Sequence, residues 1–258
     1  MIVIGAGRVG EALRRAAVRR EAACTLVTRT EGWSSLQGEA GEPVLVAVRN
    51  HHLEGVIERV PEPRRRDLVF LQNGLFDGVL AAYGLMGCSR GLLYFAVPKW
   101  GDDVQGGQTS WFTGPHASSV VAWLERLGVE AAEVAPAVFA RHELEKVCWL
   151  VAHGLLCEVH DLSVGEVERA YGSTLNGLVQ ELVEVASAER GGEVNAREIV
   201  EGLCAYSRTI PSFRASVKEW DWRDGWFVRA ARKHQLATPI HHNLLRAVGQ
   251  GERLSNSS

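Results

Sequence analysis

Gly5-Ala6-Gly7-Arg8-Val9-Gly10 follows the short apolar run Met1-Ile2-Val3-Ile4 with no residue between them, and Glu11 to Arg20 then reads as a helix. Between a strand and a helix, each glycine of a G-x-G-x-x-G series has a defined use. The first makes the tight turn, the second lets the main chain approach a pyrophosphate, and the third lets helix and strand pack closely. The helix start adds unpaired N–H groups and a partial positive charge that suit phosphates. Residues 5–10 therefore predict a dinucleotide site; a glycine turn in an unrelated α/β protein is the plainer alternative.

The next apolar run, Ala23 to Val27, ends in Thr28-Arg29-Thr30. A site selective for a free ribose 2′-hydroxyl places an acid here, about 20 residues beyond the glycines. Thr28 and Arg29 stand there instead, and Glu31 lies farther on. Hydroxyls and a guanidinium fork suit a 2′-phosphate, so the expected cofactor is NADPH, with Arg8 as a second cation. The competing reading makes Arg8 and Arg29 ordinary solvated arginines.

The surrounding pattern must supply the frame. Strands are expected at 43–48, 68–71 and 91–97, with a helix over 51–60. Edge strands at 111–112 and 130–134 flank an amphipathic helix over 118–127. From about Val138 strand-like runs vanish, and helices are expected at 139–158, 164–190, 195–208, 218–236 and 239–250. The fold class is thus α/β. An N-terminal Rossmann-type, doubly wound, mainly parallel sheet over 1–136 precedes an all-helical C-terminal domain over 137–258. Ligands of such sheets bind beyond the carboxyl ends of the strands, an edge the helical domain should roof.

The 258 residues carry a formal net charge of −3, with 46% hydrophobic and 23% charged residues. That balance gives no reason to expect a nucleic acid or an anionic membrane as partner. Five cysteines without a C-x-x-C pair suggest reduced thiols and a cytoplasmic setting. No apolar stretch reaches the 18 residues of a membrane span. Arg64-Arg65-Arg66, beside Pro61 and Pro63, is expected to be a solvated loop. The pairs His51-His52 and His241-His242 lack the i, i+4 spacing of a helical metal site, so no metal is expected.

Polar residues close several predicted strands and open later helices. Arg49 ends one strand, and Asn73 ends another within Gln72-Asn73-Gly74, which by itself is a turn signal. Lys146 sits near the start of a largely apolar helix, where it could simply be exposed. Farther on come Val164-Gly165-Glu166-Val167, Glu219-x-Asp221-x-x-x-Gly225, and Ala231 to Pro239.

This ordered series, with the N-terminal glycines, resembles the ketopantoate reductase family over nearly the whole chain. The resemblance implies NADPH-dependent reduction of 2-dehydropantoate in pantothenate biosynthesis, and a helical domain like that of 6-phosphogluconate dehydrogenase. It implies Lys146 as general acid, Glu219 as a group that binds or orients in the active site, and Asn73 at the cofactor–substrate junction. Arg49 would lie near the nicotinamide side, and Ser212 matches a substrate-binding serine at shorter spacing. Arg214, Asn73 and Ser212 are candidates for the substrate carboxylate. A possible homodimer follows by analogy.

The chain also departs from the family pattern. Asparagines are expected four and eight residues after the lysine, where Leu150 and Gly154 stand and can donate no side-chain hydrogen bond. His153 lies close to the direction of Lys146 and could take a substrate-binding role, or be a satisfied core histidine. The 29–43 segment is too short for the helix and strands relatives carry there. Three functions follow: a ketopantoate reductase, a reductase of another keto or imino acid, or a catalytically silent NADPH-binding sensor.

Overall fold

Ile2–Ile4 forms strand β1, followed by β2 Thr25–Val27, β3 Val44–Val46, β4 Leu68–Phe70, β5 Ser89–Leu92, β6 Ser110–Thr113 and β7 Ala131–Glu133. The computed structural model describes residues 1–105 and 107–256. Among them one seven-stranded sheet runs in the order β2-β1-β3-β4-β5-β6-β7. Strands β1 to β5 are parallel, β6 is antiparallel to β5, and β7 is parallel to β6. Every residue of β1, β3 and β4 is buried, which is why these segments read as unbroken apolar runs instead of alternating.

Among the described residues four α-helices accompany the sheet: α1 Arg8–Arg19, α2 Leu53–Arg59, α3 Asp77–Ala82 and α4 Ala117–Arg126. Leu13, Ala16 and Ala17 of α1 pack with Val120, Trp123 and Leu124 of α4 against Val3, Leu45, Val69 and Phe112. Order 2-1-3-4-5 puts the reversal of winding between β1 and β3, where open α/β sheets hold ligands.

The chain divides into two units, Met1–Phe139 and Ala140–Ser258. After β7 all described regular elements are helical: α5 Pro136–His160, α6 Val164–Arg190, α7 Ala196–Thr209, α8 Asp224–Lys233, α9 Pro239–Ala247 and α10 Gly251–Asn256. Their ends are well specified. Ser163 and Glu166 form a capping box at the start of α6. The Glu181 carboxylate accepts the Ile240 and His241 N–H groups at 2.9 Å each, closing the start of α9. Among the described residues, no single helix is long and apolar enough to cross a membrane.

Three expectations need correction. The strand foreseen over 91–97 runs instead over Ser89–Leu92, because the Ser110 hydroxyl takes the Tyr94 N–H at 3.0 Å and ends the ladder. The helix foreseen over 218–236 begins only at Asp224. Glu219 is left-handed at φ 50°, and Arg223 has φ −129° and ψ −107°, both outside helical geometry. Third, Arg64-Arg65-Arg66 is not simply a solvated loop. Arg64 is buried, donates from Nε to Asp67 at 2.6 Å, and reaches the Glu42 carbonyl at 3.0 Å.

Candidate active site

The glycine turn is built by steric necessity. Gly5 has φ 117°, and a Cβ there would lie 2.7 Å from the Ala47 carbonyl oxygen. A Cβ on Gly10 would lie 1.9 Å from the Gly5 oxygen, so α1 can approach β1 only without one. Gly7 is different: nothing stands within 4 Å of a Cβ position, and no side chain caps α1. The first turn of α1 therefore presents open space and main-chain donors, the arrangement that receives a phosphate.

This turn lines a cavity of about 770 Å³ at the carboxyl ends of β1, β2 and β3. Ile4 to Gly7 form one wall, Val27 to Thr30 and Trp33 the second, and Ala47 to Arg49 the third. His52, just before α2, and the α2 face carrying Gly55, Val56 and Arg59 close it. Those residues recur at i, i+3, i+4 and i+7, the period of one helical face. Among the described residues, Arg29, Arg49 and Arg59 line this cavity and no carboxylate does.

The Arg59 guanidinium lies 3.9 Å over the Trp33 ring and donates to the Arg29 carbonyl at 2.7 Å. Trp33 in turn donates to the Thr28 carbonyl at 2.8 Å. Thr28 Oγ1 accepts the Thr30 and Glu31 N–H groups, which leaves its own proton to donate. The His51 and His52 rings lie 4.0 Å apart. Partial burial, then His51, Arg29 and Arg49, push the His52 imidazole below its usual range. The local field is thus positive.

Not every fingerprint residue points into this cavity. Arg8 donates to the Pro98 carbonyl at 2.6 Å, and neither it nor Val9 lines the wall. Asn73 is not on that wall either; its carbonyl accepts from the side chain of buried Asn50 at 2.9 Å. Gln72 joins the ends of β3 and β4 by donating to the Val46 and Val48 carbonyls at 2.8 and 2.9 Å.

In the helical unit the central group is Lys146 on α5. Burial, reinforced by the nearby Arg223 guanidinium, lowers the ammonium pKa to about 7. Some of the residue remains accessible to solvent. Arg223 is itself 7% exposed and donates from Nη2 to Glu219 at 2.6 Å. Gly225 lies beneath the Trp220 indole, where a Cβ would come within 2.5 Å of Nε1. That contact accounts for the glycine closing Glu219-x-Asp221-x-x-x-Gly225.

His153 and Arg214 lie elsewhere than expected of substrate ligands. His153 is fully buried, its Nε2 lies 3.1 Å from Ser207 Oγ, and its ring packs on Trp149. Burial pushes this imidazole down to about 4, so it is a neutral core histidine. Arg214 donates to the Asp161 carbonyl at 3.0 Å and is ion-paired with the Asp161 carboxylate. Ser212 is exposed in the turn after α7.

Residues 211–219 form a strap along α5. Val217 N–H donates to Glu158 at 2.9 Å, while the Pro211 and Phe213 carbonyls accept the Gly165 and Val164 N–H groups. Gly154 permits this, because a Cβ there would lie 3.2 Å from the Ser216 oxygen. The sequence reading missed Arg223, Arg59, Trp33 and Asn50. Only Arg59 left a signal, the helical spacing from His52.

Residues 139–252 match the family described as "Ketopantoate reductase PanE/ApbA C terminal". The helical unit is thus similar to that C-terminal domain, as the resemblance in sequence implied. No curated protein matches the chain in sequence.

Solved structures match it over its whole length. A 2-dehydropantoate 2-reductase from Methylococcus capsulatus aligns with TM-score 0.76 at 16% identity, covering 98% of this chain and 97% of the other. D-mandelate dehydrogenase with NADH and anilino(oxo)acetate aligns with TM-score 0.76 at 14% identity, covering 99% and 100%. The dimeric ketopantoate reductase of Staphylococcus aureus aligns with TM-score 0.69 at 14% identity, covering 100% and 99%. The fold is that of the ketopantoate reductases.

Proposed function

We propose that the chain is an NADPH-dependent reductase of a 2-oxo acid, with 2-dehydropantoate the first substrate to test. The observation that carries this reading is Lys146, an accessible but desolvated ammonium whose pKa of about 7 suits proton transfer near neutrality. The cavity residues fit a dinucleotide phosphate: Gly7 is open, α1 is uncapped, and the wall is cationic without a carboxylate. Main-chain groups of Gly5 to Gly7 would hold the pyrophosphate, and Thr28, Arg29 and Arg59 the 2′-phosphate side. When bound, the dihydronicotinamide supplies the hydride to the substrate's carbonyl carbon. Lys146 Nζ donates the proton that neutralises the developing alkoxide, and Glu219 holds the neighbouring Arg223 in place.

A second reading, reduction of a different 2-oxo or imino acid, is favoured by one feature. The Ser216 main chain occupies the space beside residue 154, where a side chain would otherwise project from α5. Loss of NADPH absorbance with 2-dehydropantoate, 2-oxoisovalerate, phenylglyoxylate and other 2-oxo acids distinguishes the two. No consumption with any of them would leave the silent-sensor reading. The likeness to a dimeric reductase extends the proposal to a homodimer, which light scattering after gel filtration reads directly.

A further inference from the structure

We propose that Arg223 is the carboxylate anchor of this site, a guanidinium tethered by Glu219 that receives the acidic group of the substrate beside Lys146. The inference rests on the reductase reading and names the group that selects acids. Its first support is an unsatisfied donor: Arg223 Nε is buried and has no hydrogen-bond partner among the described residues. Buried guanidinium donors left unpaired are costly and point to an absent acceptor.

The second support is the tether. Glu219 accepts from Nη2 at 2.6 Å, and the adjacent Nε–H is left to another acceptor. A guanidinium N–H to a carboxylate oxygen is a charge-assisted hydrogen bond, among the stronger kind. Glu219 holds a left-handed backbone, φ 50° and ψ 53°, at the point where it makes this contact. For a residue other than glycine that conformation carries strain, and such strain gathers at functional sites.

The third support is charge. Glu219 and Asp224 both act on the Arg223 charge, yet neither meets Nε, and Asp224 lies 3.2 Å from His241 Nε2, buried with it. Arg223 and Lys146 are close enough for one charge to act on the other, and a guanidinium beside a second cation favours an incoming anion. Arg214, the alternative anchor, is already paired with Asp161.

Oxamate, an unreactive 2-oxo acid analogue, tests the anchor without turnover. Its affinity for the NADPH-saturated protein is measured by calorimetry in wild type, Arg223→Met and Arg223→Lys. The lysine variant keeps a charge beside Glu219 if the methionine variant does not fold. The expected result is at least a tenfold loss of oxamate affinity in both, with NADPH affinity unchanged. Neutral oxamide should bind all three forms equally weakly. Wild-type oxamate affinity in either variant, no oxamate binding by wild type, or parallel loss of oxamate and NADPH would each overturn the proposal. Arg223-dependent oxamate binding by a protein that reduces no 2-oxo acid would remove the reductase reading and keep the anchor. Normal turnover of 2-oxo acids by Arg223→Met would do the reverse.

Discussion

The Ser216 carbonyl crosses helix α5 directly at Gly154, at a distance that leaves a β-carbon 3.2 Å from its oxygen. Two opposed effects decide what a substitution there does. Replacing a helical glycine with alanine gains about 1 kcal/mol of helix propensity, whereas overpacking costs about 1–3 kcal/mol. The strap is fixed on both sides of the crossing by Glu158 to Val217 and by Val164 to Phe213, so it cannot readily give way. Gly154→Ala should lower the melting temperature by a few degrees and Gly154→Asn by more, as calorimetry would show. A rise with asparagine would mean that the strap is loosely held.

Lys146→Ala should reduce kcat by about a hundredfold or more while leaving NADPH affinity nearly intact, since general acid catalysis contributes about 10²–10⁴-fold. In the wild type, kcat/KM should fall as pH rises through about 7, where the ammonium loses its proton. Stability should move the other way. The folded pKa of about 7 lies below the ordinary lysine value of 10.5, so between these values the unfolded chain holds more protons and folding strengthens as pH rises. Urea midpoints across that window, compared with Lys146→Met, isolate this contribution; equal slopes would refute it.

Arg29 and Arg59 should govern the choice of cofactor. Charged hydrogen bonds contribute about 1.5–3 kcal/mol, so Arg29→Ala should weaken NADPH binding by roughly tenfold or more and leave NADH binding unchanged. Arg59→Ala removes both the stack on Trp33 and the bond to the Arg29 carbonyl and should act in the same direction. Fluorescence titration with each dinucleotide measures the effect. Equal losses for both would show that these arginines do not read a 2′-phosphate.

His153 should make the protein acid-sensitive. Its imidazole titrates near 4 when folded, against 6.5 for the ordinary value, so the unfolded chain takes up a proton first. The stability this provides is complete above about pH 6.5 and declines as pH falls toward 4. His153→Gln should lose that part of the slope between pH 7 and 5 in urea titrations. An unchanged slope would assign the acid sensitivity to other groups.

The glycine turn was legible because strand, turn and helix are contiguous in sequence, so Gly5, Gly7 and Gly10 state their own context. The sheet was legible because β1, β3 and β4 are buried on both faces and read as plain apolar runs. The ends of elements were harder to read. Tyr94 leaves the ladder because of Ser110, sixteen residues away, and the helical pattern fails at Glu219 and Arg223, whose backbone angles lie outside the helical region. Charged residues misled most. Nothing local separates Arg64, buried on Asp67, from solvated Arg66; the Asp67 carboxylate also binds the distant Gly41 N–H. Arg214 and Arg223 were similarly indistinguishable until their partners were known.

The cavity beyond β1, β2 and β3 has a kinetic consequence. Three arginines without an opposing carboxylate on its wall make a cationic funnel, and such funnels steer anions before any contact forms. Arrival of a polyphosphate ligand should therefore slow as added electrolyte shortens the reach of that field, which is about 10 Å at 0.1 M. Its departure, governed by contacts at close range, should change far less.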